Sequence, residues 1–326
     1  MAEFLVIRLG RTSADPVEWI AVDNNGTRRG APGTGSLEQA AAGIGGRPVI
    51  VLVPAIETIT TTVNIPVRGG ARLRAALPFA LEESLADDIE KLHFASGMRR
   101  DNGQLPVAVV SLEKMDEWTT ELNDAGIEPA QMVPENYGLA RIPGTLSVLV
   151  DRDCIFFNDG ADTEFVMQGA RPSDALDAAG ALPDRHYSDE EAEDTNDPEG
   201  HLVAYCEAPD EERYSHDWIA LRHELHSVDI NLLADGVLPK LAVTVASGNG
   251  VNLLQGDYGA KTDYRSQLRP WRSAAILLLG LMVVGLVGKA VDYKRLAGEE
   301  AALKMRFTEA YREIRPGDSR EVMDPV

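Results

Sequence analysis

Cysteine is scarce in this chain: Cys154 and Cys206 are the only two among 326 residues. Two cysteines exclude a disulfide scaffold and a four-cysteine zinc site, and an isolated pair fits a reducing cytosol. Positive charge is also in deficit. Against 52 acidic residues stand 31 basic ones, giving a net charge of −21 at pH 7. Nucleic acid and anionic lipid each need a positive face, so the balance argues against binding either through bulk attraction, though a local basic patch remains compatible with it. Signal-peptide features are missing too. Glu3 and Arg8 bracket a short apolar run with no small-residue cleavage site, so residues 4–9 read as a strand. No short-period repeat is present, which argues against a solenoid.

What is there begins with hydrophobic content of 44%, enough for a well-packed core in two ordinary domains or one large domain with additions. The run 273–288 carries no charge and is dominated by Leu, Ile, Val, Ala and Gly. As a helix it would be about 24 Å long, slightly short of a ~30 Å hydrocarbon core. Its flanks extend it: Trp271 and Tyr293 fall where interfacial aromatics belong, and Arg272 and Lys289 can snorkel. A buried core helix would fit the length, but Gly280, Gly285 and Gly288 together are costly in a soluble helix. Arg265, Arg269 and Arg272 before the span balance Lys289, Lys294 and Arg295 after it, so flanking charge does not orient it. A long N-terminal region without an export signal is expected to stay in the cytosol, leaving the C-terminus across the membrane.

Strand-like runs occur at 4–9, 18–22, 48–53 and 58–65, followed by a helical block from about 72 to 94. A strand at 107–111, a helix at 112–125 closed by Gly126, and a strand at 127–133 come next. After Pro143-Gly144 the pattern restarts with short strands at 145–150, 154–158 and 164–167. Two halves that each begin with hairpin-spaced strands and continue into helix and strand predict a duplicated α/β unit. Within the helical block, Leu77, Leu81, Leu85, Ile89 and Leu92 fall on one arc at ~100° per residue, opposite Glu83, Asp87 and Glu90. Asp88 breaks the stripe, at its edge or paired with a cation; Pro78 opens this helix or kinks a longer one. From 184 to 217 thirteen acids face two arginines, and 184–200 reads as a solvated acidic loop.

Candidate chemistry is weak. Gly30, Gly33 and Gly35 lack the Lys of a phosphate loop and read as a flexible turn. His216, His223 and His226 share a helical face with Asp229 near, but a polar helix surface explains them better than a metal site. No Ser-His-Asp arrangement stands out. Catalytic, cofactor and metal residues are therefore expected to be none.

The segment Leu77-Pro78-Phe79-Ala80-Leu81-Glu82-Glu83, continuing to Phe94, resembles a signature of the type II secretion system protein L family. So do Asn252-Leu253-Leu254-Gln255-Gly256 followed by Leu268-Arg269-Pro270-Trp271, and the stretches Ala125-Gly126-Ile127 and Val133-Pro134-Glu135. Phe307, Tyr311, Pro316 and Asp324-Pro325 resemble the approach to the family's periplasmic domain. The resemblance implies a duplicated actin-like, RNase H-type cytosolic domain with halves at 1–143 and 144–264. A transmembrane helix with its flanks at 265–292 and a periplasmic helical stub at 293–326 follow. The family's ferredoxin-like domain is expected to be missing beyond Val326. It also implies a single-pass protein of the bacterial inner membrane that is not an enzyme. Its cytosolic domain recruits the secretion ATPase (protein E). It couples to protein M, protein F and copies of itself, with no nucleic acid and no cofactor.

Two weaker readings are an actin-like pilus-assembly adaptor and an actin-fold ATPase or kinase. The second is opposed by the hairpins that open the halves. Hydrolytic relatives of the fold place Asp-x-Gly there, whereas Arg8-Leu9-Gly10 has no carboxylate and Asp151-Arg152-Asp153 puts an acid where phosphate needs glycine. For the ATPase contact, an acidic domain can steer a basic partner. The candidates are Glu207, Asp210, Glu211 and Glu212, which are preferred, or Glu83, Asp87 and Glu90, on a helix expected to be mostly covered by its own domain.

Overall fold

The computed structural model describes residues 3–182, 200–259 and 271–314, apart from 24, 68, 101 and 249. The chain opens with β1 (Glu3–Arg8), β2 (Val17–Asp23), β3 (Gly33–Gly35), α1 (Leu37–Ala42) and β4 (Val49–Val53). An insertion follows: β5 (Thr58–Val63), α2 (Gly70–Leu81), β6 (Leu92–Ser96), β7 (Leu105–Ser111) and α3 (Leu112–Asp124), before β8 (Pro129–Pro134). The pattern then repeats with β9 (Leu146–Asp151), β10 (Cys154–Asn158), β11 (Glu164–Gln168), α4 (Pro172–Ala178) and β12 (His201–Cys206). It ends with α5 (Ala208–Arg213), α6 (Ser215–Glu224), β13 (Ser227–Leu232) and α7 (Leu238–Ala246).

The sheets have orders β3-β2-β1-β4-β8 and β11-β10-β9-β12-β13. In each, the first three strands form antiparallel hairpins, and the fourth and fifth add in parallel. Identical order and polarity make the duplication expected from the restarted strand pattern a property of the fold. Interior strands of the two halves show why. Val49–Val53 is uninterrupted Val, Ile and Leu, buried throughout, as a parallel strand covered on both faces must be. In β10, Phe156 enters the first core and Phe157 the second, because neighbouring side chains leave opposite faces of a strand.

The inserted sheet has order β5-β7-β6. One face takes Leu73, Leu77 and Leu81 of α2, spaced by four residues, against Leu105, Val107 and Val109. Ala108 and Val110, on the other face of β7, join the first core with Met115 and Trp118 of α3. The long helix expected across 77–92 is not formed. The helix runs Gly70–Leu81 with Pro78 inside it, then gives way to 3-10 turns at Glu82–Ser84 and Ile89–Lys91 and to β6. The 100° phase was right for Leu77 and Leu81, but pairing of Leu92–Ser96 with β7 takes the rest of the segment. Leu85 and Leu92 still reach the same core, from a loop and a strand. Asp88 accepts from the Glu90 amide at 3.2 Å and caps a 3-10 turn, which explains its place in the stripe.

Helix α7 returns to the first half, setting Leu238, Leu241, Ala242 and Val245 into the core under β1 and β2. It runs so close to the turn after β8 that a Cβ on Gly138 would sit 2.6 Å from the Leu241 side chain, so only glycine fits there. Gly33 lies in an edge strand against Trp19 rather than in a flexible turn. As a separate unit, α8 (Trp271–Ile314) is a 44-residue helix, and 275–310 is long and apolar enough to cross a membrane. Apart from Gly200, the acidic stretch 184–200 lies outside the described residues, as does the C-terminal stretch beyond Ile314.

Candidate functional site

The hairpins that open the two halves meet. Strand β1 ends at Arg8, and residues 9–16 lead back to β2, whose Glu18 pairs with Arg8 in the ladder. In the second half β9 turns into β10 through Arg152 and Asp153 alone, with Asp151 opposite Cys154. So tight a turn forces Arg152 to φ 57°, a left-handed conformation unusual for a side chain of its size.

Arg8 bridges the hairpins. Its Nε donates to Glu135 Oε2 at 2.6 Å, an Nη donates to Asp151, and Glu18 Oε2 lies 3.5 Å from Nη1. Glu135 comes from the turn after β8, and its other oxygen accepts from the Ala55 amide at 3.1 Å. All three bridging side chains are close to one-tenth exposed. Burial works against the Arg8 charge, but Glu135 and Asp151 outweigh it and raise its pKa further above the ordinary arginine value. An outer pair closes the rim: Arg11 donates to Asp153, which also accepts from Gln168 Nε2 at 2.8 Å. The bond from Arg11, with that from Gln168, holds the Asp153 carboxyl well below the usual carboxylate range. Cys154 beneath them is pushed up to about 11, first by burial, which favours the thiol over the thiolate.

The void left between the hairpins, lined by Arg8, Gly10, Glu18, Glu135, Asp151 and Cys154, is about 30 Å³. Ligand pockets run to several hundred, so the space holds roughly one water. At the place where hydrolytic relatives of the fold are expected to hold phosphates, this chain sets its own guanidinium between its own carboxylates.

The acidic candidates separate. Glu207 precedes α5 and faces the second hairpin; burial, then the nearby Asp151, raises its pKa. Asp210 lies 3.6 Å from Arg213, which donates to the Arg152 carbonyl. Of that group Glu212 is exposed and the other three are half-buried. Glu83, Asp87 and Glu90 are exposed on consecutive turns rather than along one helical face. His216 and His223 lie on α6, while His226 is beyond its end with its ring 4.8 Å from that of His201, so the three do not share a helical face. Among the described residues no three His, Cys, Asp or Glu side chains are placed to hold a metal.

The Asn252–Gly256 motif proves to be an anchor. Leu253 is buried, and its amide donates to the Met132 carbonyl at 2.7 Å. Asn252 Oδ1 accepts from the amides of Met132 and Leu254, and Gln255 Nε2 donates to the Ser96 carbonyl at 2.8 Å. His93 Nε2 donates to the Leu253 carbonyl at 2.7 Å, and burial lowers the His93 pKa, which keeps the ring neutral. These bonds fasten the chain across β6 and β8 shortly before α8. In that helix Trp271 is the first residue and Lys289 and Tyr293 are exposed. Trp271 and Tyr293 are 22 residues apart, about 33 Å along a helix axis, which matches a hydrocarbon core.

Sequence reading missed Glu135 as the partner of Arg8. Arg8-Leu9-Gly10 and Val133-Pro134-Glu135 each stand out locally, but nothing in the sequence joins positions 127 residues apart.

Residues 5–261 match the family model of type II secretion system (T2SS) protein L. The chain is 25% identical over 323 residues to type II secretion system protein L of Pectobacterium carotovorum subsp. carotovorum, covering 98% of this chain and 70% of that one. It is 26% identical over 326 residues to the Dickeya chrysanthemi protein of the same name, covering 98% and 72%. Among solved structures it resembles the cytoplasmic domain of EpsL, an inner-membrane component of the type II secretion system of Vibrio cholerae. That match has TM-score 0.53 and 19% identity, and covers 79% of this chain and all of that one. The likeness shows the fold, and with the repeated sheet order it identifies the actin-like arrangement. The chain belongs to the type II secretion system protein L family, as an inner-membrane component with an actin-like domain followed by one candidate membrane-spanning helix among its described residues.

Proposed function

We propose that this protein is a non-hydrolytic scaffold. Its actin-like domain faces the cytosol and holds the secretion ATPase (protein E) at the inner membrane. The span and the helix beyond it reach the periplasm and pair with protein M, protein F and other copies of the chain. The observation that carries the scaffold reading is the bridge from Arg8 to Glu135 and Asp151. A site for ATP hydrolysis needs room for phosphates and a metal between the hairpins, and here a cation of the protein fills that position. The Asn252–Gly256 anchor is consistent with the coupling role, because it fastens the last motif of the domain onto β6 and β8.

The exposed acids at Glu83, Asp87 and Glu90 are the better candidates for steering the ATPase, since Glu207, Asp210 and Glu211 are half-buried and Asp210 lies against Arg213. The test is co-purification of the full chain with the secretion ATPase from membranes, repeated with Glu83→Lys, Asp87→Lys and Glu90→Lys combined. The expected result is capture by the wild type, with slower association and a flatter salt dependence in the variant. Failure of the wild type to capture the ATPase would overturn the scaffold assignment, and an unchanged variant would move the contact elsewhere. Reporter fusions at residues 259 and 314 should report cytosol and periplasm respectively; the reverse result would overturn the orientation.

A further inference from the structure

A second cavity lies away from the hairpins, where the insertion, the turn after β8, the start of β11 and the segment after α7 converge. Its volume is about 410 Å³, within the range of small-ligand pockets. Leu139, Pro106 and Val251 give it an apolar wall, and all three are buried. The opposite side is polar. Arg141 lies 3.1 Å from Glu164, and Arg100 pairs with Asp162. Each guanidinium thus commits one of its five N–H donors to a carboxylate, leaving a surplus of donors at the cavity. Tyr137 also lines it, and its hydroxyl, on a residue 8% exposed, has no hydrogen-bond partner among the described residues. Arg100, Arg141 and Glu164 line the same cavity as that phenol, so the four groups form one cluster. A phenylalanine would fill the same space without an unpaired hydroxyl.

The geometry points to a binding site for a small organic anion. A carboxylate or phosphate head is received by Arg100, Arg141 and the Tyr137 hydroxyl, and a compact apolar body lies on Leu139, Pro106 and Val251. Charge-assisted bonds from guanidinium to such a head are stronger than those to a neutral acceptor. Asp162, the partner that competes for Arg100, is 43% exposed and therefore screened, whereas Glu164 holds Arg141 in place. The site shares no residue with the hairpin void, so it stands independently of the scaffold reading.

The test is calorimetric titration of the detergent-solubilised full chain with benzoate, phenyl phosphate and the neutral benzyl alcohol. Saturable binding of one of the anions at about 1 mM or tighter is expected, with none for the alcohol. Which anion binds separates a carboxylate from a phosphate ester. Arg100→Gln should weaken binding roughly tenfold and Tyr137→Phe roughly threefold. Tyr137→Phe should leave the melting temperature unchanged or higher, so its loss of binding cannot be a loss of fold. Absence of saturable binding up to about 10 mM, equal binding of the alcohol, or binding indifferent to both variants would each overturn the proposal.

Discussion

The two hairpins occupy equivalent places in duplicated halves, yet they are built oppositely. The first contributes a cation, Arg8, at the end of β1 before a long loop; the second contributes anions, Asp151 at the end of β9 and Asp153 in the two-residue turn. The inner bridge is buried, whereas Arg11 and Asp153 at the rim are about one-third and nearly one-half exposed. The difference teaches how a duplicated fold can lose a ligand without losing its closure. Two carboxylate hairpins facing each other would need a bound cation; replacing one of them by arginine supplies that cation covalently.

The largest effect should come from removing the bridge. Arg8→Ala strands Glu135 and Asp151 in a buried site, and denaturant unfolding of the full chain should show a loss of about 3–5 kcal/mol. Arg8→Lys should fall between, because a point charge cannot span both carboxylates as the guanidinium fork does. Closure also depends on the acid within the first half itself. Glu135→Gln keeps an acceptor for Ala55 but loses the charge-assisted bond to Arg8, and should cost about 1.5–3 kcal/mol in the same assay.

How much of this was legible in the sequence follows from how locally each feature is encoded. The strands of both halves were readable because runs such as Val49–Val53 and Cys154–Asn158 are short, apolar and bounded by turn residues. The end of α2 was not, because Leu85 and Leu92 keep a helical phase while strand pairing claims the latter. The hairpins were legible as departures from Asp-x-Gly, but only the folded chain brings Glu135 to Arg8. The anchor at Asn252–Gly256 was visible as a motif, whereas its partners Met132, His93 and Ser96 lie more than a hundred residues away.

The rim should matter less. Arg11→Ala is expected to cost no more than about 1 kcal/mol, and less at high salt, because solvent screens the pair. Its pH dependence has a definite sign. The Asp153 pKa is depressed in the folded chain, so its stabilisation is present above the unfolded carboxylate value and is lost as pH falls through the lower folded value. The stability difference between wild type and Asp153→Asn should therefore be constant from pH 7 down to about 4 and shrink only below that. The smallest effect is at the turn itself. Arg152→Gly relieves the φ of 57° but adds unfolded-state freedom and loses the weak contact with Glu18, leaving a net gain of about 0.5 kcal/mol at most.

The central claim is that the hairpins are closed by the protein's own charges in place of a nucleotide. Titration of the full chain with Mg·ATP, read by thermal shift, tests it directly. A ligand at 100 times its dissociation constant would stabilise the fold by about 2.7 kcal/mol, a shift of several degrees. The account predicts no shift and no turnover for the wild type. A saturable shift that disappears in Asp151→Ala would contradict it.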